Sequence, residues 1–242
     1  MATPLPFLNR LSESIEHSEH HWSTQRRMPA TRVTYTPTIA ITRQAGTPGT
    51  SLAREIGKRL EWQVYDHELV EQIARDMGAR TSLLETVDER DQNWLLDSLR
   101  AFGSSSRAVT ESSYVRHLVE TVLALGARGN CVIVGRGAGF ILPGSTTLRV
   151  RLIAPQEERI AAVCRDRNWT RHQAAAWVEQ TDRERRHFVR NHFVNDPEDP
   201  NNYDLLVNMA HWTIAEAADI VLRALRVREL HEANASLTEI GS

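Results

Sequence analysis

IAITRQAGTPGTSLAREIGKRL, running from Ile39 to Leu60, decides how the rest of the chain is read. The run from Thr38 to Ile41 predicts a buried strand, and Gly46, Pro48 and Gly49 mark a loop. Leu52, Ile56 and Leu60 then recur at i, i+4 and i+8, one face of a helix. Strand, glycine loop and helix together make a phosphate cradle. Backbone N–H groups converge on a phosphate only where no side chain blocks the approach. The first helical turn adds unpaired donors and the positive end of its dipole. Gly46 and Gly49 supply the room, Thr47 and Pro48 complete the loop, and Thr50 and Ser51 place hydroxyls at the helix start. The usual consensus, G-x-x-x-x-G-K-[ST], is broken. Aligned on Ser51, its lysine position holds Thr50, or Gly49 if one residue is gapped. The loop contains no lysine. Taken alone, the stretch also fits an ordinary turn between a strand and a helix.

With 242 residues the chain has length for one full domain plus a small insertion and tails. Its 29 basic and 31 acidic residues give a net charge of -2, which offers no global attraction to nucleic acid or to an anionic membrane, so neither is expected as a partner. Any charge that binds phosphate must therefore be local. The two cysteines, Cys131 and Cys164, have the spacing of neither a metal site nor a disulfide framework, which points to the cytoplasm. No run approaches the length of a membrane span, and the N-terminus lacks the apolar core of a secretory signal.

Residues 1–35 are polar and aperiodic, with Pro4, Pro6 and Pro29, and are expected to form a disordered or loosely attached arm; its His17, His20 and His21 read as part of that solvated tail. A domain over 36–228 and a C-terminal tail over 229–242 complete the expected layout. After the first helix, Gln63 to Tyr65 predicts a very short strand ending in Asp66, which is placed to cap the next helix. Residues 67–127 read as a helical insertion, with helices over Ser82 to Phe102 and Tyr114 to Ala127. Asn130 to Val134 is the clearest buried strand, closed by Gly135-Arg-Gly-Ala-Gly139. A glycine-rich loop at the carboxyl end of a central strand is where open α/β sheets bind ligands. Arg136 is its one charged residue, and a guanidinium fits a phosphate bidentately; a structural ion pair is the plainer role.

Leu148 to Ile153 predicts a strand whose alternating Arg149 and Arg151 imply one partly covered face. Pro155, Glu157 and Glu158 open a helix, and Thr170 with Gln173 forms a capping box for the next. That helix ends in Thr181 to Arg190, where Arg183, Arg186 and Arg190 fall at i, i+3 and i+7, either facing an anion or forming a balanced surface stripe. The loop Asn195 to Asn202 leads to a last strand at Leu205 to Val207, and Thr213 with Glu216 caps a final amphipathic helix. The alternation of strand and helix predicts an α/β fold, a parallel sheet of about five strands with helices on both faces.

The segments ITRQAGTPGTSLAREIGKRL, VYDHELV, NCVIVGRGAGFIL, RLIAPQEERI and NNYDLLVNMAHWTIAEAADIVLRAL together resemble the cytidylate kinase-like family over about residues 38–226. The family loop reads I-S-R-x-x-G-S-G-G, which Arg43, Gly46, Thr47 and Gly49 match or nearly match, with Pro48 in place of a glycine. The resemblance implies a P-loop kinase fold with an arginine-rich lid over about 170–203. Cytidylate kinases proper carry G-R-D after the central strand; Gly135-Arg136 matches the first two positions and Gly137 departs from the third, which puts cytosine specificity in question. Asp66 stands where the family has an acceptor-site aspartate.

The implied activity is transfer of the γ-phosphoryl group of ATP, with Mg²⁺, to a nucleoside monophosphate or related small phosphorylated acceptor. Gly46 to Ser51 are expected to cradle the donor phosphates, and Ser51, or Thr50 in a shifted register, to ligate Mg²⁺. Asp66 and Arg136 would hold the acceptor. Arg183, Arg186 and Arg190, with Arg185 beside them, would close over the transferring group. Phosphoryl transfer needs placed positive charge more than covalent chemistry, so a cation must replace the absent lysine. Arg43, at the mouth of the loop, is the expected substitute. Two rival readings are a nucleotide-binding sensor that has lost the chemistry and a kinase for a different small acceptor.

Overall fold

The computed structural model describes residues 36–68, 70 and 109–240, with the side chains of 109–114 and 230–240 left aside. The expected N-terminal arm, its three histidines and most of the 67–127 insertion lie outside the described residues.

β1 (Thr38–Arg43) is the middle strand of a five-stranded parallel sheet, ordered β2-β3-β1-β4-β5. Its core residues Ile39, Ala40 and Ile41 are at most 1% exposed, as a strand covered on both faces requires. β2 (Gln63–Tyr65) and β3 (Cys131–Val134) lie on one side of it, β4 (Thr147–Ile153) and β5 (Leu205–Asn208) on the other. The five expected strands are therefore present, each within two residues of its expected ends. α1 (Gly49–Leu60) buries Leu52, Ala53 and Ile56 against Ile39, Ile41, Val132 and Val150, together with Ala217, Val221 and Leu225 of the last helix. That cluster is the core on the face of the sheet covered by α1.

α2 (Val109–Arg128) returns the chain to β3, and the short α3 (Ala138–Ile141) lies on the opposite face of β1 from α1, with Gly139 close to Ala40 and Thr42. α4 (Gln156–Arg167) and α5 (Arg171–Phe193) pack together through Ile160, Val163, Ala174 and Val178, with Ala45 of the phosphate loop in the same cluster. Their junction is clamped by Arg167, whose guanidinium lies 4.8 Å from the Trp169 ring and 4.3 Å from the Trp177 ring. The expected capping box at the start of α5 is present, Thr170 and Gln173 each bonding the other's backbone. So is the one formed by Thr213 and Glu216 ahead of α6 (Ile214–Ile240).

The structure modifies two expectations. Arg149 and Arg151 lie on a face more fully covered than their alternation implies, Arg149 being half-buried and Arg151 buried. Arg151 is 8% exposed, lies 5.3 Å from the Tyr203 ring and donates to the Tyr203 Oη at 3.1 Å, while Arg149 donates to the Leu142 carbonyl. The one-turn 3-10 helix Pro200–Asn202 brings Tyr203 back over β4, a long-range cover that alternation along a strand cannot report. Helix α6 continues to Ile240, through the residues where a tail is expected. The apolar period fades there, but helix-forming residues persist with neither glycine nor proline before Gly241.

The crossing of α1 over β2 is tight at Gly57. A Cβ there would lie 2.4 Å from Val64 Cγ2 and 2.9 Å from the Trp62 carbonyl oxygen, which is backbone and cannot step aside. Gly57→Ala gains helix propensity of about 1 kcal/mol. Overpacking costs about 1 to 3 kcal/mol. The expected outcome is a net loss of stability, read as a lower urea midpoint with unchanged slope.

Candidate functional site

The site is built by register. Ile41 of β1 pairs with Val134 of β3, and the Gly135 N–H donates to the Ile41 carbonyl at 2.9 Å, so the loops that follow the two strands leave the sheet side by side. Arg43, two residues farther along β1, pairs with Leu152 of β4. On the other side of β3, Tyr65 pairs with Ile133, which sets Asp66 and His67 beside the Gly135 loop. The carboxyl ends of three neighbouring strands thus gather Arg43, the phosphate loop, Arg136, Asp66 and His67. This is the switch point where the chain leaves β1 for one side of the sheet and β4 lies on the other.

Arg43 occupies the space that a side chain at Gly49 would need. A Cβ on Gly49 would lie 2.3 Å from Arg43 Cδ, and a Cβ on Gly135 would lie 2.7 Å from Arg43 Nη1. The guanidinium therefore runs across the mouth of the phosphate loop and ends against the loop after β3. Burial lowers the Arg43 pKa to about 10; the guanidinium groups of Arg185 and Arg136 push the same way, and Asp66 opposes them. Arg185 reaches in from α5, donating from Nη1 to the Arg43 carbonyl at 3.1 Å, and its pKa is also lowered, chiefly by burial. Arg43, Arg136 and Arg185 form a compact group of like charges.

Residues 135–137 are wound in the left-handed region, with φ values of 80, 52 and 72°. For Arg136 this conformation costs free energy, the kind of local strain that persists where the surroundings dictate it. The flanking glycines make room for protein atoms: Gly135 for Arg43, and Gly137 for Phe193, whose Cε2 would lie 2.2 Å from an added Cβ.

The phosphate loop is held from behind. Gly46 takes φ +83° and packs directly on the Arg159 backbone of α4. Asp182 of α5 accepts the Ala45 N–H at 2.7 Å and pairs with Arg159 Nη1 at 2.6 Å, while Arg159 also donates to the Ala45 carbonyl. Loop, α4 and α5 are thereby tied at one carboxylate. Within the loop, Thr47 N–H donates to Gln44 at 3.3 Å and Gly49 N–H to Thr47 at 2.9 Å. Pro48 has no N–H, so two of the five amides expected to face phosphate already have acceptors. Thr50 and Ser51 lie in the first turn of α1, before any i−4 acceptor inside the helix, and Pro48 at the N-cap provides no side-chain cap. Ser51 is exposed there and Thr50 half-buried. A cleft of about 630 Å³ opens beside the loop, lined among others by Arg43, Thr47, Pro48, Arg159, Arg185 and Met209. Its size suits a small-molecule ligand.

The arginine-rich face turns out differently from its spacing. Arg183 pairs with Glu179 and Arg190 with Asp196 on the exposed side of α5, while the half-buried Arg186 pairs with Glu198 at its flank. The structure does not bring these three to the other candidates; it brings Arg185. The inward face of α5 is Val178, Asp182, Arg185 and Val189, and both valines are buried. That pattern was available in the sequence, since two apolar residues bracket Asp182 and Arg185 at i, i+4, i+7 and i+11. Arg159 and His67 carry no local signal, and Asp182 reads in sequence only as a carboxylate balancing the arginine stripe, because each makes its contact across more than 20 residues of chain. Asp66, at the end of β2, is 3.8 Å from Arg54 of α1.

A model of the family described as cytidylate kinase-like matches residues 38–211. The chain belongs to the cytidylate kinase-like family. It is thus a kinase-like phosphotransferase with the five-stranded parallel P-loop kinase architecture. No functionally curated protein matches it. Among solved structures it is similar to an uncharacterised protein from Eubacterium ventriosum ATCC 27560, at 16% identity and TM-score 0.64, over 79% of this chain and 99% of the other. It is more distantly similar to a gluconokinase from Sinorhizobium meliloti 1021, at 13% identity and TM-score 0.47, over 83% and 98% of the two chains. A shikimate kinase from Acinetobacter baumannii in complex with shikimate aligns at 14% identity and TM-score 0.46, over 81% and 96%. No described helix is long and apolar enough to cross a membrane.

The clasp at Asp182 makes a stability prediction. Removing the carboxylate leaves the Arg159 guanidinium, 8% exposed, without its counter-charge. Asp182→Ala is expected to cost about 2 to 3 kcal/mol, below the full range for a buried pair because Asp182 keeps some contact with solvent. Asp182→Asn should recover part of the loss, since its amide oxygen can still accept the Ala45 N–H. Urea unfolding of the two variants measures the difference.

Proposed function

We propose that the protein transfers the γ-phosphoryl group of ATP to a small phosphorylated acceptor of the nucleoside monophosphate kind. The observation that carries this reading is the position of Arg43 over Gly49. In the gapped alignment Gly49 takes the place of the phosphate-loop lysine, and Arg43 fills the space which that residue leaves open. A fixed cation at the mouth of the loop is what the missing lysine would otherwise have to supply. Because Arg43 crosses to Gly135, it lies between the phosphate loop and Arg136, where a donor and an acceptor phosphate would meet.

The roles follow from charge. The amides at the start of α1 and the Arg43 guanidinium take the donor phosphates. Arg136 takes the acceptor phosphate, with Asp66 at the edge of the same group. Arg185, already inside, supplies charge to the transferring group, the part expected of Arg183, Arg186 and Arg190. Mg²⁺ fits the exposed Ser51 hydroxyl, because this ion is held mainly by phosphate oxygens and water; it would neutralise charge on the triphosphate. An acceptor phosphate is ionised at neutral pH, so no carboxylate base is needed.

Gly137 bears on the acceptor. With φ +72° and Phe193 against its Cα, this position has no room for the aspartate of the G-R-D motif. The proposed acceptor is therefore gripped by its phosphate, and cytosine has no partner at residue 137.

Release of ADP from Mg-ATP, measured across nucleoside monophosphates and small phosphorylated metabolites, tests the activity directly. Arg43→Ala should abolish turnover while the melting temperature moves by no more than a few degrees, because the buried guanidinium is itself disfavoured by its surroundings. Adding Gly49→Lys to that variant should restore part of the rate, since the clash at Gly49 is with Arg43 alone and its φ is not left-handed. Wild-type turnover in Arg43→Ala would defeat the proposal. Arg185→Ala should lower kcat about tenfold or more, the loss of one transition-state contact of about 1.4 kcal/mol. Arg183→Ala and Arg190→Ala should change it less than about twofold, as expected of exposed pairs. Arg136→Ala should raise the acceptor KM with little effect on that for ATP, and Arg136→Lys should not fully correct it.

A further inference from the structure

His67 sits at the edge of this group of charges and has no part in the roles above. Its Nδ1 lies 3.5 Å from Arg43 Nη2, and its side chain is 40% exposed, open to a ligand entering beside Arg43. Among the described residues, the charged groups around it are Arg43 from β1, Arg136 from the loop after β3, and Asp66 and Glu68 on either side in the chain. Glu68 Oε1 is 3.9 Å from Nε2 and its side chain is 83% exposed, while Asp66 lies 3.8 Å from Arg54. The imidazole thus faces a guanidinium at near hydrogen-bonding distance, an arrangement that suits the neutral ring, whose free lone pair can accept from Arg43.

We propose that His67 is a ligand of the acceptor phosphate, recruited as the imidazolium when a dianionic phosphate monoester enters beside Arg43 and Arg136. This rests on the phosphotransferase reading and adds a residue to its acceptor site. Burial and then the two arginines hold the His67 pKa below its usual value, with Glu68 and Asp66 opposing. A dianion placed among the same groups reverses the sign of the local field, and the ring takes up a proton as the ligand binds. The sign of the pH dependence follows. Binding of a dianion gains from His67 below the bound-state midpoint, and the gain disappears as pH rises through it. An uncharged hydroxyl acceptor would draw no such proton. The site therefore favours phosphate monoesters over neutral polyols.

Imidazole NMR of the full chain tests this, with the His67 resonance assigned by its loss in His67→Gln. Inorganic sulfate serves as the probe, because it remains a dianion throughout the titration range. Sulfate should perturb the amides of residues 135–137 and raise the His67 midpoint by about 1 pH unit or more. His67→Gln should weaken sulfate binding severalfold at acidic pH and leave it unchanged at alkaline pH, where the wild-type ring is neutral as well; a purely structural role would alter both alike. Perturbed amides with an unmoved midpoint would overturn the role of His67 and leave the phosphotransferase reading in place. Amides 135–137 that do not respond to sulfate would remove the anion site at Arg136, and both proposals would fall.

Discussion

Like charges packed at the carboxyl end of the sheet are the constraint on which the site depends. Arg43, Arg136 and Arg185 repel one another, and burial of Arg43 and Arg185 deepens the penalty, lowering the Arg43 pKa to about 10. A free protein holds such a group together only if its scaffold is rigid. The sheet and α5 provide that rigidity: pairing with β4 fixes the backbone of Arg43, the bond to Ile41 fixes Gly135, and Asp182 fixes the helix that carries Arg185. Repulsion among these guanidinium groups is what a polyanionic ligand would relieve on binding.

Asp182 acts on the geometry from behind. One carboxylate accepts an amide of the phosphate loop and pairs with an arginine of α4, so the curvature of the loop, the seat of Gly46 and the approach of α5 are set together. The glycines fit the same account. Gly49 and Gly135 are spaces for the Arg43 side chain, and Gly137 is a space for Phe193. Each absent side chain has a protein atom in its place, which makes the loop sequence a record of internal packing as well as of ligand approach.

The fold was written plainly in the chain. Strand, loop and helix from Thr38 to Leu60, the run Cys131–Val134, and the capping boxes at Thr170 and Thr213 each rest on interactions among residues close in sequence, so local pattern was enough to find them. The helix that continues to Ile240 escaped because its apolar period ends before its helical propensity does.

The sequence by itself determined that a glycine loop without lysine joins a strand to a helix, that a second glycine loop carries Arg136, and that Arg43 stands at the mouth of the first. These are statements about order along the chain, and order is what short-range periodicity and turn chemistry encode. Which arginine of α5 faces inward was decided by tertiary structure. Spacing alone favoured Arg183, Arg186 and Arg190, which pair with Glu179, Glu198 and Asp196, whereas packing of Val178 and Val189 turns Arg185 toward the sheet. The meeting of Arg43 with Gly49, of Asp182 with Ala45 and of His67 with Arg43 likewise required the assembled fold. Such contacts arise from strand register and helix docking, which set distances between residues that the chain itself holds far apart.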